Sequence, residues 1–98
     1  MTVITEVALQ EGTEPGWDAA MSDRMATAES ADGWIAGQIL IPLERPETRV
    51  IVGVWQTRSA WEAWHNDPVF RQTRERLAEV GAPEGATTWH EVVYDARS

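Results

Sequence analysis

The chain has 98 residues and a mass of 11.0 kDa, enough for one small domain with a single core over residues 1–98. Its 43% hydrophobic and 24% charged residues are typical of a globular protein rather than a disordered or fibrous one. Sixteen acidic residues against eight basic ones give a net charge of −8, so we expect no binding to nucleic acid or to an anionic membrane. Cysteine is absent, which excludes disulfides, thiolate nucleophiles and cysteine-ligated metals.

Neither a membrane segment nor a targeting segment is visible in the sequence. A membrane-spanning helix needs about 20 consecutive apolar residues, and the apolar runs here are short and interrupted. The first residues lack the basic and apolar regions of a secretory signal peptide. We therefore expect a cytoplasmic protein that does not bind membranes.

Tryptophan is the over-represented residue. The chain has six tryptophans but only one tyrosine and one phenylalanine. Since a small core accommodates few rings of this size, we expect some of the six to line a cavity or an interface, where large amphipathic rings are favoured.

The N-terminal third of the chain predicts a strand followed by a helix. Side chains alternate from Val3 to Leu9 with the period of a strand. From about Pro15 the apolar residues recur at helical spacing. They are Trp17, Met21, Met25 and Ala28. Gly33 follows this stripe and is typical of a helix end.

The central segment predicts two strands, Trp34–Leu43 and Thr48–Gln56. The second of these is apolar on both faces. Val50, Val52 and Val54 share one face, and Ile51, Gly53 and Trp55 share the other. We therefore expect each face of the sheet to be buried against a different layer.

The next segment predicts a helix in two pieces. Thr57 or Ser59 can cap a short first piece. Asp67 is a good N-cap and Pro68 a good first residue for a second piece, which extends to about Val80.

A loop over Gly81–Ala86 and a fourth strand over Thr87–Asp95 complete the chain. The order is then β-α-β-β-α-β, which predicts a ferredoxin-like α+β sandwich with a four-stranded antiparallel sheet. In that fold both helices cover one face of the sheet. The apolar second face predicts a homodimer, in which it packs against a second copy.

In the order and spacing of its motifs, the chain resembles the antibiotic biosynthesis monooxygenase (ABM) family of dimeric α/β barrels. The matching segments are Gly33-Trp34, Val52-Gly53-Val54-Trp55-Gln56-Thr57, Ala60-Trp61-Glu62-Ala63-Trp64, Asp67-Pro68-Val69-Phe70 and Trp89-His90-Glu91-Val92-Val93-Tyr94. The family includes cofactor-free oxygenases of anthrones and quinols, haem-degrading enzymes, small isomerases and members without known activity. The resemblance therefore implies the fold more directly than it implies the reaction.

The anthrone-oxygenase branch implies three site residues. Trp55 matches a tryptophan at the end of the third strand, Trp61 stands where a tyrosine is usual, and Arg74 matches an arginine of the last helix. Ile51 stands where the branch has an asparagine. The resemblance thus implies aromatic stacking and stabilisation of a substrate anion, without the asparagine's hydrogen bond.

The haem-degrading branch matches less well. Trp64 matches its tryptophan, but Thr5 stands in place of its first-strand asparagine. Thr73 or Arg74 stands where its iron-ligating histidine belongs, and neither residue type ligates haem iron. We therefore expect neither haem nor another cofactor.

The complete candidate site contains catalytic and substrate-binding residues. The catalytic candidates are Arg74, Trp55 and His65, and the substrate-binding candidates are Trp61, Trp64, Thr73 and Trp34. Each has a structural alternative: the tryptophans as ordinary core, Arg74 as a solvated side chain, Thr73 bonded to its own helix and His65 as a helix-end residue. His90 is a further candidate base, and we expect no metal site.

The resemblance, together with these residues, implies a cofactor-independent monooxygenase that oxidises a planar phenol, quinol or anthrone with O2. The alternative is a non-enzymatic barrel that binds a small aromatic molecule or whose pocket is merely filled core. Haem binding or degradation is a third hypothesis.

Overall fold

The computed structural model describes residues 1–79 and 85–97. Their elements occur in the order β1 (Thr2–Ala8), α1 (Glu14–Ala28), β2 (Trp34–Leu40), β3 (Thr48–Trp55), α2 (Arg58–Trp64), α3 (Pro68–Glu79) and β4 (Ala86–His90). The four strands form one antiparallel sheet in the order β2-β3-β1-β4. The predicted ferredoxin-like α+β fold is confirmed, with its second helical region divided into α2 and α3.

Strand register determines which side chains face the helices. Val3 lies opposite Gly53, and Val7 opposite Arg49, at the centre of the sheet. Val3 and Val7 are buried, and both contribute to hydrophobic clusters with helix residues. Odd-numbered positions of β1 and β3 therefore face the helical layer, while even-numbered positions form the opposite, open face.

Two predicted strands end three or more residues earlier than expected. β2 ends at Leu40 instead of Leu43, because Pro42 cannot donate to a strand ladder. β4 ends at His90 instead of Asp95. His90 is paired with Thr2, the first residue of β1, so the ladder offers no partner to the residues that follow. The prediction that β4 continues to Asp95 is wrong.

Side-chain caps begin the two later helices. Thr57 Oγ1 accepts from the backbone N–H of Ala60 at 3.1 Å, so Thr57 is the N-cap of α2. Asp67 Oδ1 accepts from the N–H of Val69 at 2.8 Å at the start of α3. Val80, the predicted end of this helix, and positions 81–84 of the predicted loop lie outside the described residues.

An internal ion pair joins the first helix to the sheet. The Arg49 side chain is only 5% exposed, and its Nε and Nη2 donate to the two carboxylate oxygens of Asp18 at 2.9 and 3.2 Å. Nη1 donates to the carbonyls of Pro46 and Thr48. The bond to Asp18 raises the pKa of Arg49. Every nitrogen of this guanidinium donates to a group of the protein itself.

The open face of the sheet is apolar at its centre. Ile4, Val50, Val52 and Val54 lie there, half-buried without a covering layer. Ile35, Leu40 and Ile41 of the neighbouring edge are exposed. The predicted second layer over this face stays a prediction. Among the described residues, no helix is long and apolar enough to span a membrane.

Candidate functional site

A cavity of about 550 Å³ lies between the helices and the covered face of the sheet. Alternate residues of β1 and β3 form its floor, and residues from all three helices form its walls. Ligand pockets commonly measure roughly 300–1,000 Å³. This cavity is therefore the candidate ligand site.

Three indole rings form one side of the cavity. The Trp34 and Trp55 rings meet edge to face with centroids 5.4 Å apart, and the Trp55 and Trp64 centroids are 5.3 Å apart. Trp55 is 1% exposed and Trp64 8% exposed. Trp64 Nε1 donates to Thr27 Oγ1 at 3.1 Å, which satisfies its polar atom. Trp55 and Trp64 therefore belong to the core and line the cavity at the same time.

Trp61 has a different environment, although it lines the same cavity. It is half-buried, and its ring meets the Trp89 ring edge to face at 4.4 Å. The Arg58 guanidinium lies 4.4 Å from the Trp89 ring centre. These contacts orient Trp61 from outside and leave it available to a ligand on the cavity side.

His65 is the C-cap of α2 and also lines the cavity. Its Nδ1 lies 2.8 Å from the carbonyl oxygen of Trp61. Because a carbonyl only accepts, this bond assigns the hydrogen to Nδ1 and leaves the lone pair of the neutral ring on Nε2. The helix-end role and the cavity position are therefore combined in one residue.

The environment of His65 favours the uncharged imidazole. Burial lowers its pKa, and the charges of Arg24 and Arg74 lower it further, against the opposing effect of the Trp61 carbonyl. Its ring lies 3.6 Å from that of Trp61 and 4.3 Å from that of Phe70, between centroids. A neutral imidazole in such surroundings is able to accept a proton at pH 7.

Two arginines contact the ring of Phe70. The Arg24 Cζ lies 4.0 Å from the ring centroid, and the Arg74 Cζ lies 5.4 Å from it. Arg24 comes from α1 and Arg74 from α3, and both line the cavity. Their cations are attracted to the aromatic ring, but they repel one another.

No carboxylate compensates these two cations within residues 1–79 and 85–97: none lies within ion-pair distance of either guanidinium. Burial lowers the pKa of Arg24 to about 10, and the charge of Arg74 contributes. The cavity is therefore locally electropositive in a protein of net charge −8.

Thr73 lies beside the cavity but not among its lining residues. It is 3% exposed, and its hydroxyl donates to the carbonyl of Phe70 at 2.6 Å. The same oxygen accepts from Nε of Arg24 at 2.9 Å. Thr73 therefore orients Arg24, and its hydroxyl is already bonded to protein groups.

The remaining candidates separate into two groups. Thr5 and Ile51 line the cavity together with the predicted tryptophans, His65 and Arg74. His90 is exposed on the open face and lies 2.8 Å from the Thr88 hydroxyl through Nε2. It borders a separate hollow of about 330 Å³ with Met1 and Trp89. The structure thus places the two histidines at different sites.

Arg24 is the principal site residue that the sequence analysis missed. A signal for it exists, because Arg24 is seven residues after Trp17 and four before Ala28 and so falls on the apolar stripe of α1. A cation on a buried stripe needs a partner or a function. Phe70, which lies against both arginines, appears in the sequence analysis only as the end of the Asp67–Phe70 matching segment.

Metal ligands do not converge in this part of the molecule or elsewhere in the described chain. Within residues 1–79 and 85–97, no group of three or more histidine, aspartate or glutamate side chains is placed to hold a metal ion. The polar groups that line the cavity are suited to an organic ligand with hydrogen-bonding or anionic substituents.

Comparisons with known proteins identify several relatives. Residues 1–76 match the family model described as "Antibiotic biosynthesis monooxygenase". A mycobilin-producing haem oxygenase of Mycobacterium tuberculosis is 25% identical over 92 residues, which cover 94% of this chain and 88% of the relative. The similarity thus extends over nearly the whole sequence.

Two solved structures share the fold. SnoaB, a cofactor-independent oxygenase from Streptomyces nogalater, superposes with a TM-score of 0.78 at 13% identity and covers 96% of each chain. A mutant of MhuD with two manganese protoporphyrin IX molecules bound per active site superposes with a TM-score of 0.80 at 23% identity, covering 99% of this chain and 98% of that one. At such identities the likeness shows the architecture alone.

Proposed function

Because the chain belongs to the antibiotic biosynthesis monooxygenase family, we propose that it oxidises a planar phenol, quinol or anthrone with O2, without flavin, haem or metal. One observation carries the proposal: a cavity walled by indole rings holds both a histidine that favours its neutral form and an uncompensated arginine. These are the groups that removal of a substrate proton and stabilisation of the resulting anion require.

The first step is the removal of a proton from the substrate. His65 Nε2 accepts a proton from the reactive methylene of an anthrone, or from the hydroxyl of a phenol or quinol. The electron pair of the broken bond remains on the substrate as an enolate or phenolate. The Arg74 guanidinium then donates hydrogen bonds to the anionic oxygen, which lowers the energy of the charged form.

Molecular oxygen is the oxidant in the second step. The electron-rich anion transfers an electron to O2, and the resulting radical pair combines to form a carbon–oxygen bond. Protonation by the imidazolium gives a hydroperoxide. Loss of water, with the second hydrogen of an anthrone methylene, leaves a carbonyl, so that the methylene and one molecule of oxygen become a ketone and one molecule of water.

Stacking supplies the orientation for this chemistry. Trp55 lines the floor of the cavity in a fixed position, and Trp61 lies at its half-buried side. A planar substrate held against such rings gains stacking energy of about 1 kcal/mol per ring pair beyond its burial. Trp34 and Trp64 extend the same aromatic surface.

Oxygen uptake by the purified protein tests the proposal. Metal-free protein is expected to convert an anthrone to the anthraquinone with one O2 consumed per product. Arg74→Ala is expected to slow the reaction about a hundredfold, in the range seen when one oxyanion donor is removed. Arg71→Ala removes the same charge from an exposed position of α3 that does not line the cavity, and it should leave the rate unchanged. Equal rates for both variants, or a metal requirement, would contradict the mechanism.

Binding without oxidation is the second candidate function. It is favoured by Ile51, which lines the cavity with an apolar side chain where the anthrone oxygenases carry an asparagine. Such a protein would quench its tryptophan fluorescence on binding an aromatic compound but would consume no O2. The oxygen-uptake assay separates the two candidates directly.

Haem fits these residues poorly. The Thr73 hydroxyl, at the place of the branch's iron ligand, donates to Phe70 and accepts from Arg24. Arg74, the adjacent possibility, does not ligate haem iron. His65 lies directly after Trp64 instead of nine or ten residues beyond it. Haem chemistry is therefore not part of the proposal, although relatives named above bind or degrade porphyrins.

A homodimer is part of the same proposal. It is supported by the half-buried valines and isoleucine of the open face, an apolar surface that a second copy would cover by two-fold symmetry. Val52→Asp, at the centre of this face, is expected to convert a dimer to a monomer in sedimentation velocity. Glu91→Gln, at an exposed position beyond the ladder, is the control. A wild-type protein that sediments as a monomer would contradict the proposal.

A further inference from the structure

We propose that Arg24 and Arg74 form a binding site for a carboxylate that the aromatic ligand carries permanently. The inference rests on the proposed function only in taking the cavity as the ligand site. It adds a residue, Arg24, and a ligand class: planar aromatic acids, rather than neutral aromatics of the same shape.

Arg24 is held in place by contacts that leave donors free. Its Nε donates to the Thr73 hydroxyl, whose own hydrogen is donated to the Phe70 carbonyl. The guanidinium lies 4.0 Å from the centre of the Phe70 ring. The terminal nitrogens have no hydrogen-bond acceptor among residues 1–79 and 85–97, and no buried side-chain nitrogen or oxygen there lacks a partner. The terminal nitrogens are therefore accessible, on a side chain that lines the cavity.

Arg24 and Arg74 differ from most other arginines of the chain in their ion pairing. Five of the eight basic residues form ion pairs with carboxylates: Arg45, Arg49, Arg58, Arg76 and Arg97. Arg71 and Arg74 are both exposed on α3, but Arg71 does not line the cavity. Arg24 and Arg74 are the two arginines among the cavity-lining residues, and neither forms an ion pair with a described carboxylate. In a chain with 16 acidic residues, this local absence leaves room for an anion from outside.

A permanent anion explains the pair better than a transient one. Partial burial of one cation beside another raises the energy of the ligand-free protein, and burial together with Arg74 lowers the pKa of Arg24. An oxyanion that develops only during the reaction leaves the bound ground state uncompensated. A carboxylate compensates both guanidinium groups as soon as the ligand binds.

Recognition of an aromatic acid then combines two surfaces of one cavity. The ring system lies against the indoles, and the carboxylate points to the end where α1 and α3 present their arginines. Arg74 contributes to the carboxylate site and Arg24 completes it. The negative charge of the whole protein does not prevent this, because the two cations act at short range, whereas salt screens the more distant surface charges.

Calorimetric titration with a matched ligand pair tests the inference. The probes are 9-anthracenecarboxylate and 9-anthracenemethanol, which share a ring system and differ in charge. Wild-type protein is expected to bind the carboxylate at least about tenfold more tightly than the alcohol, as one or two charge-assisted hydrogen bonds would produce. Arg24→Gln and Arg74→Gln are each expected to reduce this ratio severalfold. Arg71→Gln should leave both affinities unchanged.

Three outcomes would overturn the inference: equal binding of the two probes, a preference that survives Arg24→Gln, or no binding of either probe.

Oxygen uptake is measured separately with a neutral anthrone, so the proposed oxidation and the proposed carboxylate site are tested independently. A carboxylate preference without oxidation removes the proposed reaction but keeps the anion site. Oxidation without a carboxylate preference does the reverse. Porphyrin propionates also carry carboxylates, and metal-free protoporphyrin IX, titrated by its own fluorescence, distinguishes that source from small aromatic acids.

Discussion

The two partly or fully buried arginines of the helix-covered layer have opposite surroundings. Arg49 on β3 is 5% exposed and bonded to both oxygens of Asp18 and to two backbone carbonyls. Arg24 on α1 has a threonine hydroxyl, an aromatic ring and a second cation as neighbours. The pKa values follow the surroundings, raised for Arg49 and lowered for Arg24. Arg49 is the more deeply buried of the two and yet has the raised pKa, so compensation rather than burial separates them.

The difference separates an architectural arginine from one available to a ligand. The groups that satisfy Arg49 come from the protein and are present as soon as it folds. Arg24 has a hydrogen-bond acceptor and an aromatic ring as partners within the fold, but its charge has no anionic partner until a ligand enters the cavity. An uncompensated cation beside a hollow is for this reason stronger support for a binding site than the hollow itself.

Loss of the Arg49 partner should give the largest effect. Asp18→Ala leaves a nearly fully buried guanidinium without its carboxylate. We expect the free energy of unfolding to fall by about 2–3 kcal/mol, somewhat less than for a fully buried pair because Asp18 is 43% exposed. Urea denaturation followed by tryptophan fluorescence measures the change.

Asp23→Ala is the matched control for this experiment. Asp23 also lies on α1 and pairs with Arg76, but both partners are exposed. Its removal should change the free energy of unfolding by less than about 1 kcal/mol. Similar losses for the two variants would mean that the Arg49 pair is no more structural than a surface ion pair.

The fold was predictable from sequence further than the site was. Alternation in β1 and β3, the helical stripe from Trp17 and the Asp67-Pro68 helix start are local signals, and each produced the expected element. The end of β4 is not determined by a local signal, since it depends on Thr2 of β1 as the last available partner. Local periodicity identifies elements, but the extent of a strand is decided by its neighbour.

In the site, residue types were easier to predict than their partners. The structure brings Trp55, Trp61, Trp64, His65 and Arg74 to one cavity, and their roles stay predictions. Thr73 was expected to face a ligand, but its hydroxyl is bonded to a helix carbonyl and an arginine 49 residues away in sequence. Since α1 and α3 meet only in the folded state, no sequence window reveals that the Arg24 and Arg74 charges are neighbours.

The pH dependence of anthrone oxidation probes the part of the cavity where His65 lies near Arg24 and Arg74. Burial and the two arginines lower the pKa of His65 below its ordinary value of about 6.5. The rate should therefore stay constant as pH falls to this value and decline about tenfold per unit only at lower pH, where His65 becomes protonated. Arg24→Gln removes one repelling charge and should move this decline to higher pH.

The same shift affects stability with a defined sign. His65 has a lower pKa in the folded protein, so the unfolded chain takes up the proton first as pH falls. The contribution of this residue to stability is present above about pH 6.5 and is lost as pH falls toward the folded-state pKa.

His90→Gln on the open face is the control for the pH profile of anthrone oxidation, and it should alter neither that profile nor the position of its acidic limb. A limb that remains in His65→Gln would assign the base elsewhere.

Haem titration tests more sharply which carboxylate the two arginines bind. If they serve small aromatic acids, haemin added to the protein should give no Soret shift of a histidine-ligated complex, because Thr73 and Arg74 hold the ligand position. A shift in wild type that disappears in His65→Ala would contradict this expectation. It would also transfer the carboxylate site from aromatic acids to porphyrin propionates.

Arg24→Gln should have the smallest effect on stability, and of the opposite sign to Asp18→Ala. The substitution removes a poorly compensated charge but also loses a cation–π contact, so we expect a gain of about 0.5 kcal/mol or less, a rise in Tm of about 2 °C. Saturating 9-anthracenecarboxylate should stabilise the wild type and should stabilise the variant much less. Replacing an arginine that the fold needs would lower the Tm of the ligand-free protein. Replacing one that is retained for a ligand lowers only the rise in Tm that the ligand produces. A loss of more than about 1 kcal/mol in the ligand-free variant would place Arg24 with Arg49 among the structural residues.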